Sequence, residues 1–302
     1  ARIVASQATV SDKIRALIVF GGNLLMGLGD PQRAIPALKD LDLLVSLDSR
    51  LNDTGQLAHY VVAASQPFER HDISTTGDAM YPEAFAQYAP PIVDRPDDVI
   101  DDWEFFWGIA ARMGVPLTLK SWNYGLDYDR LPEGMALSGD APPDPEEMIR
   151  YLCRHSVVPF DTLKANPQGV RPELPPQYVL PAREDNGARL QLCPADVAAE
   201  LQQVLADEGL DDFRYQLTCR RVLEAMNSAY RDSERMRKKY PVNWAYMNPE
   251  DMAELGIGDG DSIQIQSAAG AILGVAKGED RLRRGVISMT HLFGAVAPST
   301  DP

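Results

Sequence analysis

No apolar run in this sequence approaches the roughly 20 residues needed to cross a bilayer, so nothing in it reads as a helical membrane span. Cysteine is scarce. Cys153, Cys193 and Cys219 are far apart, odd in number and never in a CxxC spacing, which argues against zinc or iron–sulfur ligation by neighbouring residues. The plain expectation is three buried free thiols. Positive charge is also short: the formal net charge of −15 argues against nucleic acid and anionic membrane as main partners. A phosphate-bearing ligand in a local basic pocket stays compatible with that total. There is no GxGxxG. No initiating methionine precedes Ala1 and no charged-then-apolar leader pattern follows it, so both ends are expected to be cuts in a longer polypeptide.

What is present is ample apolar material, 45% of 302 residues, which suits two or three modules. The stretch from Ile14 to Ala64 organises the first. Ala16 to Phe20 is a short unalternating apolar run, expected to be a strand buried on both faces. Gly21, Gly22 and Asn23 follow as a tight turn that lets a ligand approach closely. Pro31 opens a helical segment to about Asp40. Leu43 to Leu47 form a second strand ending at Asp48, and Arg50, Asn52, Asp53 and Thr54 crowd the next turn. Tyr60 to Ala64 is a third strand. Strand, helix, strand, helix, strand is half of a doubly wound sheet, in which ligands bind beyond the carboxyl ends of the strands. Gly21 to Asn23 and Asp48 to Thr54 both fall there. The plain alternative is a tight turn at the glycines and a cap at Asp48.

From Gln66 the chain becomes irregular and proline-rich. The run from Trp103 to Gly114 has helix boundary signals, with acids before it, Arg112 near its end and Gly114 beyond. Its aromatic stripe is read as core packing. Asp144 to Val157 reads as a helix with Pro145 near its start, and residues 159–182 as a wrapping segment. Beyond 183, a strand is expected at Arg189 to Leu192, a helix at Pro194 to Glu208 and a strand at Tyr215 to Thr218, which meets Cys219, Arg220 and Arg221. Asn248 and Pro249 begin a helix that Gly256 stops. Ser262 to Ser267, Ile272 to Ala276 and Val286 to Thr290, with glycine turns between them, imply a small β-barrel.

In their order, these stretches resemble the molybdopterin oxidoreductase superfamily of the dimethyl sulfoxide reductase type. IRALIVFGGN resembles that family's strand and Gly-Gly-Asn turn, and LVSLDSRLNDTGQLAHYVVAAS the segment after it. The Glu69-Arg70-His71-Asp72 cluster sits where the family has a Glu-Arg-x-Gly sequence. WEFFWGIAARMG, YQLTCRR, NPEDMAELGIGDGDSIQIQSAAGAI and GVISMTHLFG match later stretches, NPEDMAELGIGDGD most specifically. Leu24, Cys219 and His59 depart from the family's usual proline, glycine and acid. The family's metal-ligating residue and iron–sulfur cysteines belong to a more N-terminal part.

The resemblance implies an α/β chain in three parts: a Rossmann-like doubly wound unit at 1–66, a mixed helical and proline-rich region at 67–182, and a dinucleotide-binding β-barrel of double-psi type at 183–302. The implied cofactor is bis-molybdopterin guanine dinucleotide with molybdenum or tungsten, with a possible 4Fe-4S cluster in the N-terminal part. Guanine presents two parallel donors, which one carboxylate accepts together, and Asp48 suits that role. Gly21, Gly22 and Asn23 allow close approach, and Arg50, Asn52 and Thr54 could fix ribose or phosphate. In the barrel, Arg220 or Arg221 could fork a phosphate, with Thr218, Asn227, Ser228 and His291 as further contacts. No catalytic residue and no metal ligand is assigned, because the metal and pterin carry the redox step. The implied partners are a small-molecule substrate and an electron-transfer subunit; the compartment, cytoplasmic or periplasmic, is not assigned, because any export signal would lie upstream. Three alternatives stay open: a molybdenum-free scaffold or electron-relay subunit, a non-redox hydratase of the family, and an unrelated nucleotide-binding module.

Overall fold

The structure, a computed structural model, describes residues 13–28, 31–74, 83–120, 134–174, 191–206, 213–231, 233–291 and 293. The chain divides into two compact units, Ala1–Leu24 with Pro36–Tyr178 and Leu25–Ile35 with Val179–Pro302.

The first elements in the chain are strand β1 (Ala16–Phe20), one helical turn α1 (Leu24–Gly27), helix α2 (Pro31–Lys39) and strand β2 (Leu43–Asp48). Strands β3 (Tyr60–Ala64), β4 (Asp72–Ile73), β5 (Tyr88–Ala89) and β6 (Val99–Ile100) follow, then helix α3 (Asp102–Met113). A hairpin of β7 (Leu117–Leu119) and β8 (Met135–Leu137) precedes helices α4 (Pro145–Leu152) and α5 (Phe160–Ala165).

A four-stranded parallel sheet in the order β1-β2-β3-β6 carries the first unit. Its central strand β2 buries Leu44, Val45, Ser46 and Leu47, as expected of an apolar run with neighbours on both sides. β1 corrects the expectation of burial on both faces. It is an edge strand, and of its residues Val19 is buried while Ile18 and Phe20 stay exposed. The β2–β3 connection is a single 3-10 turn at Gly55–Leu57 rather than a helix. The strand order steps in one direction, so the described residues contain no reversal point of the doubly wound kind.

Two further expectations are corrected. α4 ends at Leu152, short of Val157, after an N-terminus capped by the Asp144 side chain. Residues 159–174 are not only wrapping: α5 supplies Phe160 and Leu163 to a core with Tyr88, Ile149, Cys153 and Val158. Residues 175–190 lie outside the described residues. So does the first half of the expected strand at 189–192, whose last two residues belong to no strand. The aromatic stripe of α3 is only partly core, since Phe106 is exposed and meets Phe20 edge to face.

In the second unit, helix α6 (Ala195–Ala206) precedes strand β9 (Gln216–Arg220), helix α7 (Glu234–Lys239) and strand β10 (Trp244–Met247). Helix α8 (Pro249–Leu255) and strands β11 (Ser262–Ser267), β12 (Gly270–Gly278) and β13 (Val286–Thr290) complete it. One mixed sheet runs β11-β12-β10-β13-β9, with β10 parallel to β12 and β9 parallel to β13. Its core is Ala245, Met247, Met252, Ala276, Ile287 and Met289. A side chain at Gly274 would put its Cβ 2.9 Å from the Met289 methyl and 3.2 Å from the Ala245 Cβ, so the Met289 side chain would have to shift to admit one. Cys153 is buried as expected, whereas Cys193 and Cys219 are exposed.

Candidate functional site

In a parallel sheet all carboxyl ends point one way, so the turns after the strands collect at one edge. Here that edge gathers Gly21 to Asn23 after β1, Asp48 to Thr54 after β2, Ser65 after β3 and Asp101 after β6. Gly21 has φ +56°, a left-handed conformation that favours glycine, and its N–H donates to Leu47 O at 2.9 Å. A Cβ on Gly21 would meet no atom within 4 Å, so the backbone there faces open space.

Side chains lock the two turns together. Asn23 Nδ2 donates to Asp53 Oδ2 at 2.8 Å, and Thr54 Oγ1 donates to Asn23 Oδ1 at 3.1 Å. Asn52 Nδ2 donates to Gly22 O at 3.2 Å and to Asp48 Oδ2 at 2.9 Å, while Asn52 Oδ1 accepts from Gly55 N. Arg50 N donates to Asp48 Oδ1 at 3.1 Å. Asp53 and Thr54 are buried, Asp48 and Asn52 are half-buried and Arg50 is exposed. The Asp48 carboxylate is thereby held in place yet still reachable.

A second carboxylate lies within electrostatic reach. Asp102 is raised above the usual carboxylate range, first by burial, with the charges of Asp101 and Asp48 adding and Arg70 opposing. Asp101 is fixed by Ser65 Oγ, which donates to it, and by Glu104, whose carboxylate accepts from the Asp101 N–H at 2.7 Å. Arg95 forks Glu104 at 2.7 and 3.2 Å. Asp53, Arg70 and Asp102 are site residues that no local motif in the sequence marks. The Glu-Arg-His-Asp cluster and the acids ahead of Trp103 were the available signals.

The second unit's residues gather around the end of β9. Arg220 lies over the Tyr246 ring, 3.8 Å from its centroid, and 3.8 Å from Glu279 Oε2. Arg221 Nη1 donates to Asn227 Oδ1 at 3.1 Å, and Asn227 has φ +53°. Thr218 is exposed and Ser228 half-buried. β13 pairs Thr290 with Arg220. Asn243 Nδ2 donates to Thr290 O at 3.3 Å, yet Asn243 Oδ1 and Thr290 Oγ1 are buried and lack a hydrogen-bond partner among the described residues. His291 Nδ1 lies 3.2 Å from Cys219 Sγ. Among the described residues no three His, Cys, Asp or Glu side chains group as a metal site, and no helix is long and apolar enough to cross a membrane.

Residues 215–301 match the family described as molydopterin dinucleotide binding domain. The chain is 23% identical over 292 residues to the F420-dependent formate dehydrogenase 2 subunit alpha of Methanococcus maripaludis, covering 93% of this chain and 39% of that protein. It is 21% identical to the acetylene hydratase of Syntrophotalea acetylenica, covering 92% of this chain and 37% of that protein. It is 23% identical to the dimethyl sulfoxide/trimethylamine N-oxide reductase of Rhodobacter capsulatus, covering 89% and 34%. The solved acetylene hydratase from Pelobacter acetylenicus shares the mixed α/β fold with a TM-score of 0.66 at 18% identity, over 97% of this chain and 39% of that one. A curled C-terminal sheet fits that likeness. The chain thus spans about two fifths of the length of the curated relatives first matched.

Proposed function

We propose that this chain, which belongs to the molybdopterin oxidoreductases of dimethyl sulfoxide reductase type, holds molybdopterin guanine dinucleotide for two-electron chemistry on a small substrate. The observation that carries the reading is the carboxyl edge of the parallel sheet. There an open glycine turn stands beside a reachable carboxylate held by Asn52 and the Arg50 N–H. The donor set fits the group. A carboxylate, Asp48 first and Asp102 beside it, accepts guanine's two parallel donors, and Arg50 suits ribose or phosphate. Asn23, Asn52 and Thr54 act through the turns, since all three spend their side chains within them.

In the second unit Arg220 and Arg221 suit a diphosphate, with Thr218, Asn227, Ser228 and His291 around them. The partnerless Asn243 Oδ1 and Thr290 Oγ1 beside Arg220 fit a polar group supplied from outside the protein. When bound, the cofactor supplies the metal and pterin that exchange electrons with substrate. This chain's residues bind and orient it. We further propose the modules 1–66, Rossmann-like, 67–182 and 183–302, a double-psi type barrel, together with a second cofactor copy, molybdenum or tungsten, a 4Fe-4S cluster held by sequence other than these 302 residues and an electron-transfer subunit.

One observation favours a second reading, a non-redox hydratase: acetylene hydratases appear among both the sequence relatives and the solved structures. Electron release to an artificial acceptor during turnover separates the two. The binding proposal is tested by Asp48→Asn. Losing a hydrogen-bonded charge costs about 1.5–3 kcal/mol, roughly a 10- to 150-fold weaker hold on the dinucleotide.

A further inference from the structure

We infer that Cys219 and His291 form a histidine-assisted thiol, a modification site for small thiol-reactive electrophiles that lies at the end of the β9–β13 strand pair. Cys219 pairs with Met289 in that parallel ladder, and Thr290 pairs with Arg220, so His291 stands one residue beyond the last pair. Its ring reaches back to place Nδ1 3.2 Å from Cys219 Sγ, within the 4.0 Å reach of a sulfur hydrogen bond. Both side chains are exposed, so a small molecule can approach the sulfur. A nucleophile and a base within hydrogen-bond reach are the arrangement that activates thiols elsewhere. With the ring proton on Nε2, Nδ1 accepts the thiol proton.

The step balances without a further reactant. As the sulfur attacks an alkylating carbon, a carbon–sulfur bond forms, the bond to the leaving halide breaks, and the thiol proton passes to Nδ1. With a low-molecular-weight disulfide, a new sulfur–sulfur bond forms as the old one breaks, and the departing thiolate takes the proton from the imidazolium.

The chain carries its own controls. Cys193 is exposed like Cys219, and no thiol–imidazole contact of Cys193 occurs among the described residues. Cys153 is buried in the first unit. The test is iodoacetamide alkylation of the purified full chain, with the rate at each cysteine read by peptide mass spectrometry. Cys219 is expected to react about tenfold or more faster than Cys193, below the usual ceiling for a positioned base, while Cys153 stays protected. His291→Gln should bring Cys219 down to the rate of Cys193 and leave Cys193 unchanged, with the far-ultraviolet circular dichroism preserved. Equal rates at Cys219 and Cys193 in the unaltered chain would overturn the inference, as would a fast Cys219 that His291→Gln leaves fast. The rate ratio in the unaltered chain decides the matter even if the variant does not fold.

Discussion

Asp251 shows what a single side chain does in this molecule. It is buried, and it accepts Gly285 N–H at 2.7 Å and Arg284 Nε at 3.0 Å, which ties α8 to the turn entering β13. Arg284 also pairs with Glu250 and Glu254. Replacing Asp251 with alanine leaves the Gly285 N–H unmet and removes one arm of the arginine. A loss of about 1–3 kcal/mol is expected, read as a lower urea midpoint with unchanged slope. Residues of this kind were hard to read in the sequence. Asp251 looked like one acid in a helix's first turn. Asp53 looked like one polar residue in a crowded loop, although it anchors Asn23. Both roles depend on partners about 30 residues away, which no local pattern reports. The place of Asp48 at the end of β2 was legible, because a strand's last residue is set by the strand itself.

At the scale of elements, α8 was readable almost to the residue. Asn248 accepts from Glu250 N at 2.9 Å, Pro249 takes the first helical position, and Gly256 ends the helix at φ +68°. Asn248 also donates to Leu282 O at 2.8 Å. Asn248→Ala removes both bonds and should cost about 0.5–2 kcal/mol, at the upper end because of the second bond, checked by thermal melting. β10 was missed. Its four residues carry no turn signal of their own, and its central place comes from pairing with β12 and β13. α5 was hidden by the prolines around it, though Pro159 is its N-cap. β1 was placed correctly and its burial misread, since an apolar run does not say whether its strand lies at the centre of a sheet or at its edge.

For the whole molecule, charge sets the pH behaviour. Asp251 is held below the usual carboxylate range, first by the Gly285 N–H and, after the burial that opposes it, by Arg284. Glu254 is held below its range by Arg214 and then Arg284. A carboxylate with a depressed folded value contributes stability above its unfolded value near 4, and that contribution is lost as pH falls through the folded value. Falling pH also relieves the excess negative charge, which acts the other way until those groups titrate. The melting temperature should therefore hold or rise slightly from pH 7 to about 5 and fall below about 4. Asp251→Asn should flatten the acid limb; an unchanged limb in that variant would show that the pair contributes nothing there.

The measurement that bears most directly on the central claim is the guanosine monophosphate released by acid hydrolysis. It is made on the protein produced in a host that synthesises the molybdopterin dinucleotide, beside its Asp48→Asn and Arg220→Ala forms. Guanine nucleotide is expected in the unaltered protein and markedly less in both variants, with the far-ultraviolet circular dichroism of all three the same. No guanine nucleotide, or equal amounts in all three proteins, would contradict it.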